Sequence, residues 1–184
     1  MLHKESPRAI FGIVAIILAI SAPLVVLFIP MVQLTTFRHD PQNLLMTIPV
    51  INYYLLSAAF LFFILIFSIL AFRRNKRVYT LISALFVTAC GLIYFSGLSY
   101  IQVHTDFVRI QHFNTETTYP MSEIKTIVYG YGIDENGQYL FYTKDDEEIK
   151  TADTPLLDLE KKRKLYRIAS ENGAEFIERA YKGE

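Results

Sequence analysis

Arg73-Arg74-Asn75-Lys76-Arg77 places four positive charges in five residues, between two long segments that carry no charge when His is counted as neutral. Residues 41–72 form the first uncharged segment, of 32 residues, and residues 78–105 form the second, of 28. A helix needs about 20 apolar residues to cross a hydrocarbon core of roughly 30 Å. Both segments therefore predict membrane-spanning helices. Lys and Arg collect in cytoplasmic loops, so the short basic loop predicts the cytoplasmic side.

A third uncharged segment, residues 9–37, follows a polar start that contains Lys4 and Arg8. We predict spans at about 9–32, 48–72 and 78–101, with the N-terminus in the cytoplasm. A secretory signal peptide is the alternative for the first segment, because the small residues Ala19, Ser21 and Ala22 imitate a cleavage site. The apolar run continues to Ile29, which favours a full span. Pro23 and Pro30 predict a bend in this helix.

The charge of the chain is unevenly distributed. Residues 1–101 carry seven Lys or Arg and two Asp or Glu, whereas residues 102–184 carry eleven against sixteen. This division predicts a three-helix transmembrane domain, 1–101, and an acidic water-facing domain, 102–184. It gives no support to nucleic-acid binding, which needs a clustered basic face. Three spans place the second domain on the extracytoplasmic side.

The predicted spans have no Asp, Glu, Lys, Arg or His in their interior. Transporters and intramembrane enzymes place ionisable groups at this depth, so neither class is favoured. Asn52 predicts an interfacial or interhelical hydrogen bond, and Cys90 an apolar packing residue. Small residues of the third span predict close packing against another helix: Ser83, Ala84, Thr88, Ala89, Gly91, Ser96 and Gly97. Residues 33–47 form a nearly neutral outside loop in which His39 and Asp40 are expected to be solvated.

Short segments separated by turn residues follow the third span. Alternating apolar and polar residues predict a strand at 107–113. The polar residues 114–118 predict a turn, and residues 119–124 lead into a second predicted strand at 125–131. Asn136-Gly137 predicts a hairpin turn, with the returning strand at 138–143. A turn at 144–147 and a short strand at 148–152 complete the series.

A helix is predicted after these strands, with Thr154 as N-cap, Pro155 at the first position and Asn172-Gly173 as the stop. Its basic run, residues 160–164, is either a patch for anionic lipid headgroups or a solvated helix face, and we favour the solvated face. Residues 174–181 fit a last strand or a helical turn equally well. The fold class is thus a membrane protein with three transmembrane helices and a small α+β domain, an antiparallel sheet or partial barrel with a C-terminal helix.

The order of these segments resembles the bacterial pleckstrin-homology-like domains that are attached to membrane helices. The resemblance rests on DFVRIQHF (106–113), YPMSEIKTIVYG (119–130) and the closing helix that ends in Asn-Gly. It covers about 80 residues, and its motifs are structural. The family implies a seven-stranded barrel and a binding or assembly module without catalytic residues.

No catalytic motif stands out in the sequence. His104 and His112 would lie some 25 Å apart on a straight strand, at about 3.3 Å per residue, which does not suit a metal pair. The acidic residues 145–148 lack the spaced ligands and the glycine of a calcium loop. We therefore predict no enzyme activity, no catalytic residues, no metal and no cofactor.

The sequence favours a non-enzymatic multi-pass protein of the bacterial inner membrane. Its expected partners are the lipid bilayer and a protein or peptide that the C-terminal domain binds. One alternative is an accessory subunit of a transporter or envelope enzyme, which would bind through its spans. The other is an immunity protein against a secreted peptide toxin.

Overall fold

The computed structural model describes residues 6–37, 40–131, 137–154 and 157–180. It contains three long apolar helices and a small sheet domain, as the sequence predicts. The helices are α1 (Pro7–Phe37), α2 (Val50–Phe72), α3 (Lys76–Ser96) and α4 (Leu159–Glu171). The strands are β1 (Asn43–Thr47), β2 (Tyr100–His104), β3 (Phe107–His112), β4 (Thr115–Pro120), β5 (Ile124–Tyr131), β6 (Gln138–Thr143), β7 (Glu148–Ala152) and β8 (Glu175–Ala180), and a 3-10 turn covers Met121–Glu123.

The chain divides into two units whose boundary differs from the predicted one. The helical unit comprises residues 1–33 and 49–98, and the sheet domain comprises 34–48 and 99–184. The predicted loop at 33–47 is wrong in part, because residues 43–47 form β1. Its sequence, NLLMT, is too short to signal a strand by periodicity, and four of its five residues are buried.

The helical unit consists of α1, α2 and α3, each long and apolar enough to cross a membrane. The 31 residues of α1 rise about 46 Å at 1.5 Å each, and the helix continues through Pro23 and Pro30. The side chains of Phe63 in α2 and Phe86 in α3 make an edge-to-face contact at 5.8 Å. The third span is shorter than predicted: it ends at Ser96, and residues 100–101 belong to β2.

The basic loop is held by capping contacts at both helix ends. Asn75 is the N-cap of α3, and its Oδ1 accepts the N–H of Val78 at 2.9 Å. Arg74 donates from Nε to the carbonyl of Leu70 at 3.1 Å, near the negative end of the α2 dipole. Lys76 and Arg77 stand at the positive end of the α3 dipole, where a cation is unfavourable. Helix stability therefore does not explain these two charges.

Two four-stranded sheets form the sheet domain. Sheet A has the order β1-β2-β3-β4 and is antiparallel throughout. Sheet B has the order β7-β6-β5-β8, in which β8 runs parallel to β5. The sequence pattern of residues 174–181 fits either a strand or a helical turn. The structure has a strand there, at Glu175–Ala180.

One core lies between the sheets and α4. The side chains of this core that are completely shielded from solvent include Val103 and Val108 from sheet A, Ile127 and Phe141 from sheet B, and Leu165 from α4. Leu44 and Leu45 of β1 belong to the same cluster. The strand that lies between two spans in sequence is therefore part of this core.

Several predicted boundaries need correction. The predicted turn at 114–118 is mostly β4, because the turn between β3 and β4 is only Phe113-Asn114. The N-cap of α4 is Asp158, which accepts the N–H of Lys161 at 2.9 Å, and not Thr154; Pro155 lies outside the described residues. Asn172 and Gly173 end the helix as predicted, Gly173 with φ +74°. The strands β3, β5, β6 and β7 and the turn at 144–147 are confirmed. Of the Asn136-Gly137 turn, only Gly137 lies within the described residues.

Candidate functional site

The two histidines of the sheet domain that the structure describes, His104 and His112, lie at opposite ends of sheet A. His104 ends β2 beside Asn43 of β1, whereas His112 ends β3 beside Thr115 of β4. The buried His104 ring stacks on Phe107 with ring centres 4.6 Å apart. Its Nδ1 accepts the N–H of Asp106 at 3.2 Å and lies 3.5 Å from the Asp106 carboxylate. His104 is thus a packed, hydrogen-bonded residue of the sheet.

Three of the four acidic residues at 145–148 contact neighbouring strands through their carboxylates. Glu147 accepts a short hydrogen bond from the hydroxyl of Tyr119. Asp146 pairs with Lys125 at 3.2 Å, and Glu148 accepts from Tyr142 at 3.2 Å. Within the described residues, no group of three His, Cys, Asp or Glu side chains could hold a metal ion.

The most organised polar cluster joins sheet B to the start of α4. Asp153 accepts one hydrogen bond from the Lys162 ammonium at 2.6 Å and another from the Tyr129 hydroxyl at 3.0 Å. The Lys162 ammonium also lies 5.0 Å from the centre of the Tyr129 ring, a cation–π contact. A Cβ at Gly137 would come within 2.6 Å of the Tyr129 hydroxyl, so a larger residue there would displace this ring.

Both donors of this cluster hold their protons tightly. Burial raises the pKa of Tyr129, and the hydrogen bond to Asp153 raises it further. Burial alone would lower the pKa of Lys162, but the hydrogen bond and the charge of Asp153 outweigh it, so the pKa is raised. At neutral pH neither group is available as a base or a nucleophile, and the cluster acts as a clamp between α4 and sheet B.

The basic run of α4 is less solvated than predicted. Lys162 is held by Asp153, and Lys164 donates to the carbonyl of Pro41 at 3.1 Å, in the segment that precedes β1. Arg163, Lys164 and Arg167 line an open cleft of about 300 Å³ together with Glu160. Lys162 and Lys164 of this run thus bond to other segments of the sheet domain. Lys164 also lines the cleft, together with Arg163 and Arg167.

In the helical unit, a groove of about 360 Å³ runs between α1 and α2. It is lined by small and apolar residues: Ala19, Ala22, Pro23, Val26, Ser57, Phe60, Leu61 and Ile64. Asn52 is buried in α2, and Cys90 is exposed on α3 rather than packed as predicted. Of the small residues of the third span, Ala89 and Ser96 are buried, whereas Ser83, Ala84 and Thr88 are exposed.

Two polar contacts of β1 could not be inferred from the sequence, because each joins segments far apart in the chain. The amide of Gln102 donates to Oδ1 of buried Asn43 at 2.5 Å. The hydroxyls of Thr47 and Thr151 lie 2.5 Å apart and connect sheet A to β7 of sheet B.

A last feature of sheet A is its edge at β4, which no strand among the described residues covers. This strand pairs with β3 along all six residues, and only Tyr119 among them is partly buried.

Comparison with protein-family models gives no match, and neither does comparison with curated protein sequences. The assignment of function therefore depends on the geometry described above.

Proposed function

We propose that this chain is a non-enzymatic integral membrane protein whose sheet domain binds a partner protein or peptide at the membrane surface. The observation that carries the proposal is the double attachment of the domain. Only residues 48–49 separate β1 from α2, and only residues 97–99 separate α3 from β2. The sheet domain is therefore connected to the helical unit through two short segments of the chain.

The resemblance to pleckstrin-homology-like domains is part of this proposal. Seven strands, β1–β7, precede the closing helix α4, and β1 and β4 supply the pairings that the sequence leaves unclear. Two features differ from the expected pattern: β8 follows the helix, and β1 comes from the segment between two spans. The function that the resemblance implies, binding or assembly, agrees with a domain whose polar clusters are occupied by internal contacts.

The proposed orientation places the basic loop in the cytoplasm and the sheet domain outside a bacterial inner membrane. Lys76 and Arg77 support it, because they stand at a helix end where they are unfavourable, and retention on the inner side of the membrane would account for them. The pairing of β1 with β2 agrees with α2 and α3 both crossing the membrane, since two crossings return the chain to the same side.

An accessory subunit is the second candidate. The exposed residues Ser83, Ala84 and Thr88 favour it, because small side chains allow close approach of another helix in the membrane. Such a protein would bind its complex through α3, and the sheet domain would contribute little.

Site-specific photo-crosslinking in cells separates the two candidates. A crosslinking amino acid would replace Lys150 or Glu175 in the sheet domain, or Ser83 or Val87 on α3, all of which are exposed. The proposal predicts that one partner is captured from the sheet-domain positions. Capture from α3 alone would favour the accessory subunit. Absence of any partner, or substrate turnover that a single substitution abolishes, would contradict both candidates.

A further inference from the structure

The edge of sheet A at β4 is suited to pairing with another strand. β4 pairs with β3 without a bulge from His112↔Thr115 to Phe107↔Pro120. In the ranges that the structure describes, no strand pairs with its outer side. Five of its six residues are exposed. A regular, exposed edge strand is a template for strand addition.

The turn identifies the backbone groups that face outward. The two-residue turn Phe113-Asn114 makes His112 and Thr115 a hydrogen-bonded pair, and this pairing type alternates along an antiparallel ladder. Thr115, Thr117 and Tyr119 therefore bond to β3. Glu116 and Thr118 direct their N–H and C=O groups away from the sheet.

β4 has little of the protection that edge strands normally carry, such as Lys, bulges or central Pro. Pro120 is at its end, and Glu116 is its only charged residue. The Glu116 carboxylate lies 3.0 Å from Nε of Arg109 on β3; the N–H is not aimed at it, so the contact is charge attraction rather than a directed hydrogen bond. The outer backbone groups remain accessible.

Negative charge collects at the Tyr119 end of this edge. The carboxylates of Glu123, Asp145 and Glu147 act on Tyr119 there, whereas Asp146 is paired with Lys125, and Lys144 is a further cation of the turn. The hydrogen bond to Glu147 raises the pKa of Tyr119 to about 12, with smaller contributions from burial and from the charges of Glu147, Asp145 and Glu123. An added strand would meet a net negative surface.

We propose that the free edge of β4 binds an extended peptide segment rich in Lys or Arg, which joins sheet A as a fifth strand. The backbone groups of Glu116 and Thr118 provide the pairing, and the carboxylates near Tyr119 select a cationic sequence. This inference rests on the proposed function, since it identifies the surface and the chemistry of the partner that the domain binds.

The test uses the full chain in nanodiscs of phosphatidylcholine, which has no net charge. The probe is a fluorescein-labelled ten-residue peptide of alternating Lys and Thr, and its control has Glu in place of Lys. Fluorescence anisotropy should show binding of the Lys peptide, and binding of the Glu peptide at least tenfold weaker. Raising the salt concentration should weaken binding of the Lys peptide, because salt screens the attraction between exposed charges.

Substitutions at Thr118 test the edge itself. Thr118→Pro removes an outward N–H that β3 does not use, and proline is tolerated in edge strands at such positions. We expect this change to weaken binding of the Lys peptide at least tenfold. The Thr118→Val protein keeps the N–H and should bind the Lys peptide as tightly as the unmodified protein does. The thermal unfolding of each variant controls for folding.

Should Thr118→Pro unfold the domain, the double change Glu123→Lys and Asp145→Lys gives a second test, because it should reverse the preference toward the Glu peptide.

Several results would overturn the proposal: no binding of the Lys peptide, equal binding of both peptides, or undiminished binding to folded Thr118→Pro. If Thr118→Pro changes the mass of the purified protein and neither peptide binds, the edge pairs with a second copy and the peptide proposal is wrong. If crosslinking from Lys150 or Glu175 captures the same partner with and without Thr118→Pro, the edge assignment fails and the proposed function stands.

Discussion

Leu45 of β1 lies directly opposite Val103 of β2, and both side chains are buried, with exposures of 2% and 0%. The two residues are separated by α2, the basic loop and α3. Their pairing makes the sheet domain a product of two chain segments, one between the first two spans and one after the third. The domain therefore cannot be treated as a C-terminal attachment to a separate membrane anchor.

The contribution of β1 to stability can be measured by Leu45→Ala. Removal of a buried Leu side chain typically costs about 2–5 kcal/mol, so we expect the unfolding transition of the sheet domain to shift to lower temperature or denaturant concentration. Leu24→Ala is the matched control, because Leu24 is 71% exposed on α1 and its loss should not affect the sheet domain. Equal transitions for the two variants would show that β1 is not part of the core.

A fragment of residues 102–184 should fail to fold. It lacks β1 and the first part of β2, so it loses Leu44 and Leu45 from the core and the buried Asn43 partner of Gln102. A chain in which residues 42–48 are joined by a flexible linker to residues 99–184 should recover a cooperative unfolding transition. Amide exchange and circular dichroism compare the two fragments. Cooperative folding of 102–184 alone would contradict the composite domain.

Stability of the sheet domain should fall at alkaline pH. The pKa of Tyr119 is raised to about 12 in the folded protein, mainly by its hydrogen bond to Glu147, from a value of 10.0 for an unperturbed tyrosine. A raised folded-state pKa contributes stability that is complete below pH 10 and is lost as the pH rises from about 10 to about 12. Tyr119→Phe should reduce this loss. Absorbance titration of tyrosinate, taken as the difference between the two proteins, should show the missing group ionising near pH 12.

Gly173→Ala should destabilise the end of α4 by about 1–2 kcal/mol, the usual cost of left-handed backbone for a residue with a Cβ. No heavy atom lies within 4 Å of the added Cβ, so the cost arises from φ +74° and not from a clash. Ser170→Ala, on the exposed surface of the same helix, is the control and should change stability little. Chemical denaturation of the two variants measures the difference. A Gly173→Ala variant as stable as the control would show that this residue leaves the left-handed region.

The sequence predicted the parts of the fold that local patterns specify. Apolar length specifies α1, α2 and α3, alternation specifies β3, the Asn136-Gly137 signal specifies β6, and Asn172-Gly173 specifies the end of α4. These signals depend on near neighbours in the chain. They remain readable in one sequence without knowledge of the tertiary contacts.

The unpredicted features depend on contacts between distant segments. β1 is a five-residue apolar stretch beside a span, so its composition merges with that of α2, and only its pairing with β2 makes it a strand. The Asp153 clamp was missed because Tyr129 and Lys162 are 24 and 9 residues away from it. Residues 114–118 have the polar composition typical of turns, but threonines also favour exposed strands, and β4 forms here by pairing with β3.

Single-cysteine labelling tests the composite domain most directly. Gln42, Glu175 and Asn75 are exposed, and each would be changed to Cys in a Cys90→Ala protein and treated in intact cells with a membrane-impermeant maleimide. We predict that positions 42 and 175 are labelled together and that position 75 is labelled only after permeabilisation. Labelling of position 75 alone would reverse the proposed orientation but leave the domain intact. Labelling of positions 42 and 175 from opposite sides of the membrane would contradict the pairing of β1 with β2 and the account that rests on it.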